Sequence, residues 1–318
     1  MRDSRRRRLR VLTWHVHGNY LWYLTQTPHD FYVPFAADRR HPYGGRSGTF
    51  PWPRNLHEVP AEDVRTRQFD CVLFQSRTNV LDAAWLLSQA QQALPRVYLE
   101  HDPPLEHPFA QHHFVDDPAV MVVHVTDWNA AMWCSGRSPV RVIEHGVVVD
   151  ESVQCTGELA RGVCAINDLR RRARRMGADI LMQAREHVPI DLVGMDAQSL
   201  GGIGEIDPPA LARFQARYRF AFSPIRQTSM ALALIEAMSI GLPVVGFASG
   251  ELAAVVRNGE SGYVDTSLPR VIAAAEHLVR DRAEARRLGD GARRLARERY
   301  DIRRFARDWS ALLEEVAA

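Results

Sequence analysis

Short apolar runs alternate with amphipathic segments along most of the chain. Runs bounded by polar or turn-forming residues predict strands, and longer segments with apolar residues every three or four positions predict helices. The strands predicted in the first half are Val11–Val16, Cys71–Phe74, Val97–Leu99, Val120–Val125 and Val140–Ile143. Because these strands are apolar at consecutive positions, they indicate a parallel sheet that is covered by helices on both faces.

The intervening segments of the first half are less regular. Gly18–Thr25 predicts an aromatic-rich turn and the start of a helix, Val80–Ala93 has helical spacing, and Trp128–Trp133 predicts a short helix. Residues 34–60 are rich in proline, glycine and arginine, and we interpret them as an irregular loop.

The composition changes after Asp150, and the α/β pattern then starts again. We interpret the polar stretch ESVQCTGELARG as the connection between two domains. The elements predicted after it are strand Val163–Ile166, helix Ala178–His187, strand Asp191–Val193, helix Pro209–Arg217, strand Phe220–Ser223, helix Met230–Ile240 opening near Thr228–Ser229, strand Pro243–Phe247, and helices Leu268–Val279, Ala283–Arg299 and Ile302–Val316.

Composition indicates an ordinary globular protein. The 318 residues suit two medium domains, and 46% are hydrophobic and 25% charged. No apolar run approaches the ~20 residues that cross a membrane, and no apolar segment follows the basic N-terminus as in a signal peptide. We therefore expect a cytoplasmic protein.

Arginine supplies all of the basic residues, since the 40 Lys+Arg positions include no lysine. A net charge of +2 does not favour nucleic acid as a partner. The Arg5–Arg8 run is compatible with peripheral contact at the anionic inner face of a membrane, but a solvated tail is the interpretation we prefer.

The four cysteines, Cys71, Cys134, Cys155 and Cys164, have no metal-binding spacing. We expect reduced thiols, most of them buried.

The segment from Tyr218 to Val264 carries the most specific motif. A strand, a turn at Pro224 and a helix with one carboxylate, Glu236, form the kind of unit that holds a nucleotide at the carboxyl end of a parallel strand. The segment resembles the donor-binding signature of retaining GT-B glycosyltransferases of family 4 (glycosyl transferases group 1). The matching positions are Ser223-Pro224, Leu232, Glu236-Ala237, Gly241 and Pro243-Val244-Val245.

The resemblance implies a GT-B fold, with two Rossmann-like α/β domains facing across a cleft and a C-terminal crossover helix. We expect an N-terminal acceptor-side domain at 1–157, a nucleotide-sugar-binding domain at 158–301, and a helix at 302–318 that packs back on the first domain. The implied activity is metal-independent transfer of a sugar, with retention, from a nucleotide-diphosphate donor to a hydroxyl of a glycan, a lipid-linked glycan or a small molecule. No cofactor is implied beyond the donor substrate.

Glu236 is the strongest site candidate. Its apolar neighbours predict a buried helix, in which an unpaired carboxylate is costly, and one carboxylate can accept hydrogen bonds from both hydroxyls of a ribose. The resemblance assigns this role to Glu236 and implies further donor-binding residues at Gly204, Arg226, Thr228 and Ser229. Thr228 stands where the family has its first glutamate, so the E-x7-E motif is divergent.

Arginines follow the first strand of the second domain. Family members place an arginine and a lysine here to neutralise the leaving diphosphate, and Met176 replaces the lysine. We expect Arg171 and Arg175 to take this role, because preorganised cations stabilise negative charge that develops on a leaving group. A solvated basic loop is the alternative.

Histidine is concentrated in the first half. His101 directly follows a predicted strand, where α/β active sites occur, and by resemblance it contacts the donor sugar at the reacting centre. His15 and His17 end the first strand and share a face by alternation, and Gly18 lets the backbone approach a ligand. We assign His17 and Gly18 to the nucleotide-sugar site.

Two further alternatives are open. His101, Asp102, His107, His112, His113, Asp116 and Asp117 are residue types that bind metals, but no HExxH spacing orders them, and we expect no metal. The altered motif also leaves open a nucleotide-sugar-binding protein without transferase activity, or another GT-B enzyme such as a nucleotide-sugar epimerase. The donor sugar, its base, the acceptor and the oligomeric state are not encoded in any motif.

Overall fold

The chain forms two compact α/β units. The computed structural model describes residues 7–46, 48–107 and 111–318. Unit 1 comprises Met1–Gly146 and Ile302–Ala318, and unit 2 comprises Val147–Asp301. Residues 147–157, which we assigned to the first domain, therefore belong to unit 2. The described helices include none long and apolar enough to cross a membrane.

Unit 1 is built on a seven-stranded parallel sheet. Its strands are Arg10–Thr13 (β1), Asp30–Phe35 (β2), Leu56–Pro60 (β3), Cys71–Phe74 (β4), Arg96–Glu100 (β5), Val120–His124 (β6) and Val140–Val142 (β7). They lie in the order β3-β2-β1-β4-β5-β6-β7, so the chain winds outward in both directions from β1 and β4. All neighbouring pairs are parallel, as the consecutive apolar residues predicted.

The helices of unit 1 pack on this sheet. They are Gly18–Leu24 (α1), Arg77–Leu86 (α2), Gln89–Gln92 (α3), Asp127–Met132 (α4) and, at the end of the chain, Ile302–Val316 (α12). The C-terminal helix packs on α1, where the Trp309 indole Nε1 donates to the Tyr20 hydroxyl at 3.0 Å. The Ser310 hydroxyl also contacts His29 at 3.0 Å, and both side chains are buried. The periodicity of Ile302–Val316 thus predicted both the helix and its buried face.

Unit 2 is built on a five-stranded parallel sheet. Its strands are Leu159–Ala165 (β8), Ile190–Val193 (β9), Tyr218–Ser223 (β10), Val244–Phe247 (β11) and Gly262–Asp265 (β12). Their order is β12-β11-β10-β8-β9, which reverses direction between β8 and β10. The core includes the rings of Phe220 and Phe222 and a set of aliphatic side chains from the surrounding helices.

Seven helices belong to the described part of unit 2. They are Leu169–Arg172 (α5), Ala178–Arg185 (α6), Pro208–Gln215 (α7), Leu232–Ser239 (α8), Gly250–Val255 (α9), Leu268–Arg280 (α10) and Arg282–Arg299 (α11). The bounds predicted for the helices now numbered α10 and α11 differ from these by one residue at an end.

The proline-rich region 34–60 contains structure that the sequence did not predict. β2 extends to Phe35 and β3 spans Leu56–Pro60, and the two strands pair in register. Pro34 lies inside β2. A proline in the interior of a sheet usually argues against a strand assignment, because it has no backbone N–H to donate to a neighbouring strand. Only residues 36–55 connect the strands, so the predicted loop was too long.

Three other local predictions were wrong at their ends. The helix predicted over Val80–Ala93 stops at Leu86, because Ser88 forms a capping box with Gln91 and starts a new helix. β8 begins at Leu159, inside the stretch that we interpreted as a connection. The helix predicted from Met230 begins at Leu232, and its N-cap residue is Ala231 rather than Thr228 or Ser229.

Candidate functional site

The predicted site residues collect at the carboxyl edges of the two sheets. In a doubly wound sheet, ligands bind where the strand order reverses, because the chain leaves the two adjacent strands in opposite directions. That point lies between β1 and β4 in unit 1 and between β8 and β10 in unit 2. The loop of His17 and Gly18 follows β1, and the loops of Arg171 and Arg226 follow β8 and β10.

Gln75 organises the edge of unit 1. It directly follows β4, is 3% exposed, and donates from Nε2 to the Thr13 hydroxyl and to the Trp14 carbonyl, both at 2.9 Å. A carbonyl can only accept, so these bonds fix which end of the amide is the donor. The other end, Oε1, faces His101 Nε2 at 3.3 Å. His101 therefore carries its proton on Nε2, and Nδ1 is the acceptor nitrogen of the neutral ring.

The ring of His101 packs among other aromatic side chains of unit 1. Its centroid lies 4.3 Å from that of His17 and 4.9 Å from that of Tyr20, both edge-on. Tyr20 also contacts His145, with 5.7 Å between the centroids. Burial, together with the neighbouring His17 and His145, holds the pKa of His101 well below its ordinary value. His101 is thus a neutral base at ordinary pH.

His15 and His17 do not lie together as predicted, and Gly18 lies against an aromatic ring of the protein. β1 ends at Thr13, so strand alternation does not extend to His15 and His17. His15 Nδ1 lies 2.9 Å from the Gly45 carbonyl and its ring meets Trp52, whereas His17 lies against His101. A Cβ on Gly18 would stand 2.8 Å from the Phe50 ring, so the glycine makes room for this ring.

A second buried histidine pairs with a carboxylate at the end of β5. His113 Nε2 donates to Glu100 Oε2 at 3.1 Å, and the backbone N–H of Asp102 donates to the other oxygen at 2.9 Å. The carboxylates predicted beside them have protein partners, since Asp116 binds Arg137 and Asp117 contacts Arg96. Within residues 7–46, 48–107 and 111–318, no group of three or more His, Cys, Asp or Glu side chains could hold a metal ion.

The arginine loop after β8 is strained. Asp168 and Ala173 have φ values of +52° and +46°, and Asp196 in the loop after β9 has +58°. Non-glycine residues in this region cost about 1–3 kcal/mol each, and such residues cluster at ligand sites. Arg171 is 74% exposed and paired with Asp168 at 2.6 Å, whereas Arg175 is half-buried. The two arginines that we predicted to act together therefore differ in environment.

Arg226 joins the loops that follow β8 and β10. Its guanidinium binds both oxygens of Asp179, at 2.6 and 2.8 Å, and its Nη1 also donates to the Arg174 carbonyl. These hydrogen bonds hold the pKa of Asp179 below its ordinary value. The loops touch closely at Gly177, where a Cβ would stand 1.9 Å from the Pro224 carbonyl oxygen. Arg226, which we predicted to bind the donor, thus holds the site loops together.

The start of α8 lies at the same edge. Its N-cap residue, Ala231, has no side chain that could cap the helix, and the first turn has no acidic residue. Helix N-termini without a cap attract anions, because their first N–H groups are unsatisfied and the helix dipole is positive there. Ser229 is buried and Thr228 is half-buried in the segment leading into the helix.

Glu236 lies in the second turn of α8 and is 6% exposed. Side chains of a helix lean toward its N-terminus, so this carboxylate is directed toward the edge where the amides lie. Its burial agrees with the apolar flanks Leu234, Ile235, Ala237 and Met238.

Gly204 and Ser223 complete the edge. Gly204 has a φ of +119°, and its carbonyl accepts from the Gly194 N–H at 2.9 Å, which ties the loop after β9 to the end of that strand. Ser223, the last residue of β10, is 1% exposed, and its hydroxyl has no hydrogen-bond partner among the described residues.

Sequence reasoning did not select four residues of these edges. Gln75 and Ser223 each stand at the end of a strand, and this position was the signal that could have found Gln75; Ser223 was named as a matching position of the donor motif but was not assigned to the site. Tyr20 and His145 reach His101 only through the folding of unit 1, so no local pattern predicts them. The structure brings His17 and His101 together but gives Gly18, Arg171 and Arg226 protein partners of their own.

The chain was compared with known proteins. Residues 184–281, within unit 2, match the family model described as Glycosyl transferases group 1. No curated protein matches the chain.

Several solved structures resemble the whole chain. Sucrose-phosphate synthase from Thermosynechococcus elongatus has a TM-score of 0.72 at 14% identity, covering 98% of this chain and 99% of that one. HepE from Anabaena, in complex with UDP-glucose, has a TM-score of 0.73 at 14% identity, covering 96% and 100%. A glycosyltransferase from Rickettsia africae has a TM-score of 0.64 at 11% identity, covering 97% and 98%. The predicted fold class is confirmed: the chain has the GT-B fold, and its second unit contains a segment that matches the glycosyl transferases group 1 model.

Proposed function

We propose that the protein is a retaining, metal-independent glycosyltransferase that moves a sugar from a nucleotide diphosphate to a hydroxyl acceptor. The observation that carries the proposal is Glu236: a buried carboxylate, on a helix that begins behind Ala231, beside the point where the strand order of unit 2 reverses. It also lies inside the segment that matches the family model. A ribose supplies two adjacent hydroxyls, and one carboxylate can accept hydrogen bonds from both.

In the proposed complex, unit 2 holds the nucleotide. The diphosphate lies at the N-terminal backbone amides of α8, with Thr228 and Ser229 nearby and Arg175 as the neutralising cation. As the bond between the anomeric carbon and the diphosphate breaks, negative charge develops on the leaving oxygen, and these fixed donors stabilise it. The acceptor oxygen forms its bond on the same face of the sugar, and its proton passes to the departing diphosphate.

The histidine edge of unit 1 is proposed to bind sugar hydroxyls. His101 is held neutral, with its Nε2 proton committed to Gln75, so its acceptor nitrogen is Nδ1. A neutral acceptor can orient a hydroxyl without adding a cation to the reacting centre.

Nucleotide affinity tests the assignment of Glu236. Glu236→Gln keeps the size of the side chain but removes its charge, and each hydrogen bond to a charged group contributes about 1.5–3 kcal/mol. We expect affinity for the nucleoside diphosphate to fall on the order of tenfold or more, with an unchanged melting temperature. Glu260→Gln, at an exposed carboxylate of the same unit, is the control. Equal affinities of Glu236→Gln and the wild-type chain, measured by titration calorimetry, would contradict the assignment.

Donor turnover tests the reaction itself. HepE was crystallised with UDP-glucose, which makes this the first donor to examine alongside GDP-, ADP- and TDP-linked sugars. Release of nucleoside diphosphate that depends on an added acceptor supports a transferase. The anomeric configuration of the product, read by NMR, tests retention, and unchanged turnover in the presence of a chelator tests metal independence.

Thr228 favours one alternative. It stands where the resembling family has a glutamate, so a protein that binds the nucleotide sugar without transferring it is the second candidate. Binding without turnover of any donor and acceptor pair would favour that candidate over the enzyme.

A further inference from the structure

A separate pocket lies at the opposite edge of the unit 2 sheet. Thr156 and Gly157, which precede β8, and Gly241, which precedes β11, form part of its wall, and α11 supplies much of the rest. Because the strands are parallel, this is the amino edge, whereas the residues proposed to bind the nucleotide follow the carboxyl ends. The pocket has a volume of about 50 Å³, which suits a small ion rather than a nucleotide.

The lining of this pocket is strongly basic. It contains the four arginines Arg219, Arg282, Arg286 and Arg293, and one carboxylate, Asp290. Two of the arginines are held in place by backbone carbonyls: Arg219 donates to Gly157 and Val279, and Arg282 donates twice to Thr156. These carbonyls position the guanidinium groups but do not neutralise their charge.

The other two arginines lack partners. Among the described residues, neither the exposed Arg286 nor the half-buried Arg293 makes an ion pair or a hydrogen bond, and of their donor atoms the Nε of Arg293 is buried. Leaving a buried donor unsatisfied costs free energy, and an ion that the coordinates do not contain is one of its ordinary explanations. The neighbouring Arg287 shows that α11 does pair its arginines where a carboxylate is near, since it binds both oxygens of Glu284.

We propose that this pocket binds a phosphate group, either as inorganic phosphate or as the terminal group of a phosphomonoester. Arginine forks match phosphate oxygens in pairs, and a tetrahedral anion can accept donors that arrive from several directions. A phosphate dianion would supply Arg286 and Arg293 with acceptors and offset most of the excess positive charge of the lining. The proposal does not depend on the transferase reaction.

Titration of inorganic phosphate into the full chain, at constant ionic strength set with chloride, tests the proposal. We expect saturable binding to one site by calorimetry or by ³¹P NMR. The double variant Arg286→Gln, Arg293→Gln should bind phosphate weaker by on the order of a hundredfold, because each arginine contributes a charge-assisted contact. Arg294→Gln removes the same charge from an exposed neighbour on α11 that does not line the pocket, and it should bind as the wild-type chain does.

The comparison with glycerol phosphate distinguishes the two sources. Tighter binding of glycerol phosphate than of inorganic phosphate assigns the pocket to a phosphomonoester, and equal or weaker binding assigns it to the free ion. The proposal is overturned if phosphate binding does not saturate, or if the double variant binds it as tightly as Arg294→Gln. Binding retained by the double variant would place the ion elsewhere, for example at the start of α8.

Discussion

The carboxyl edges of the two sheets occupy equivalent places in their folds but are built from different chemistry. In unit 1, the buried Gln75 holds the half-buried His101 by a hydrogen bond, and the pKa of His101 is lowered so that the ring is neutral. In unit 2, arginines lie in strained loops, and backbone amides and one buried carboxylate belong to the helix α8. An arginine stays charged at every pH that a protein survives, whereas a histidine changes charge within the physiological range.

The difference separates two ways of binding oxygen-rich ligands. Fixed positive charge and backbone amides suit phosphates, and neutral rings with defined tautomers suit uncharged hydroxyls.

The tryptophans allow the two units to be followed separately. All seven, Trp14, Trp22, Trp52, Trp85, Trp128, Trp133 and Trp309, lie in unit 1, so tryptophan fluorescence reports on that unit while far-UV circular dichroism reports on both.

The largest effect is expected where the unit 2 loops meet. Gly177→Ala places a Cβ against the Pro224 carbonyl at a φ of +77°, and we expect a loss of about 4 kcal/mol in the free energy of unfolding. Gly201→Ala is the matched control, because its φ is +67° but nothing lies within 4 Å. Gly201→Ala should lower the free energy of unfolding by about 1 kcal/mol, from backbone strain alone. Denaturant unfolding followed by circular dichroism gives both values, and equal costs would show that the close approach does not matter.

The pH dependence of unit 1 stability is the second test. Burial lowers the pKa of His124 to about 4 from the ordinary value of 6.5. Above pH 6.5 the ring is neutral in both folded and unfolded chains. As pH falls from 6.5 to about 4, only the unfolded chain gains the proton, so stability is lost over this window, by about 3 kcal/mol for this residue.

Replacing the ring isolates this contribution. Between pH 6.5 and 4, the free energy of unfolding should fall by about 3 kcal/mol less in His124→Gln than in the wild-type chain. Denaturant unfolding followed by tryptophan fluorescence measures this difference. His187→Gln, at an exposed histidine of unit 2, is the control for the loss of a histidine side chain. A His124→Gln chain that loses as much stability as wild type would contradict the lowered pKa. The buried His29 and the half-buried His15 and His101 also have lowered pKa values and add to the total loss.

The third test asks whether the histidine edge serves the reaction and not the nucleotide. His101→Ala should lower kcat/KM for the proposed transfer by about a hundredfold, or about 2.7 kcal/mol, because an oriented hydrogen-bond acceptor is removed. Nucleoside diphosphate affinity should stay at the wild-type value. His107→Ala, at an exposed histidine, is the control. A loss of nucleotide affinity in His101→Ala that parallels the loss of kcat/KM would contradict the proposal that the two edges have separate roles.

The smallest effect concerns the ion pairs that hold the arginine edge. Arg226 and Arg174 both contact Asp179, but Arg226 is 29% exposed and makes two bonds to the carboxylate, whereas Arg174 is 77% exposed and makes one. A double-mutant cycle with Asp179→Asn and Arg226→Gln should give a coupling of about 1 kcal/mol, and the cycle with Arg174→Gln a value near zero. Equal couplings would show that the bidentate geometry adds nothing.

Much of the fold could be predicted from the sequence because its elements are encoded locally. The apolar run Cys71–Phe74 and the amphipathic segment Ile302–Val316 were predicted with the bounds that the structure has. Burial of Glu236 followed from its helical neighbours in the same way. Such patterns depend on which residues are near in sequence, and a periodicity of two or 3.6 residues is sufficient to identify them.

The errors arose where a local signal had more than one meaning. Pro34 indicated a loop, but neighbouring strands on both sides hold its segment in β2. Thr228 and Ser229 are typical helix caps, yet α8 begins at Leu232 behind an alanine. Propensity is a weak preference that tertiary contacts override.

The sequence by itself determined the class of fold, the succession of strands and helices and the position of the one buried motif carboxylate, because hydrophobic periodicity and turn residues act over a few neighbours. Only the tertiary structure decided which side chains meet. It placed His17 against His101, fixed the tautomer of His101 through Gln75 and engaged Arg226 with Asp179. Within the part of the chain that the structure describes, it left Arg286 and Arg293 without partners at the amino edge. These contacts join residues far apart in the chain, and they depend on the order of the strands, which local periodicity does not encode.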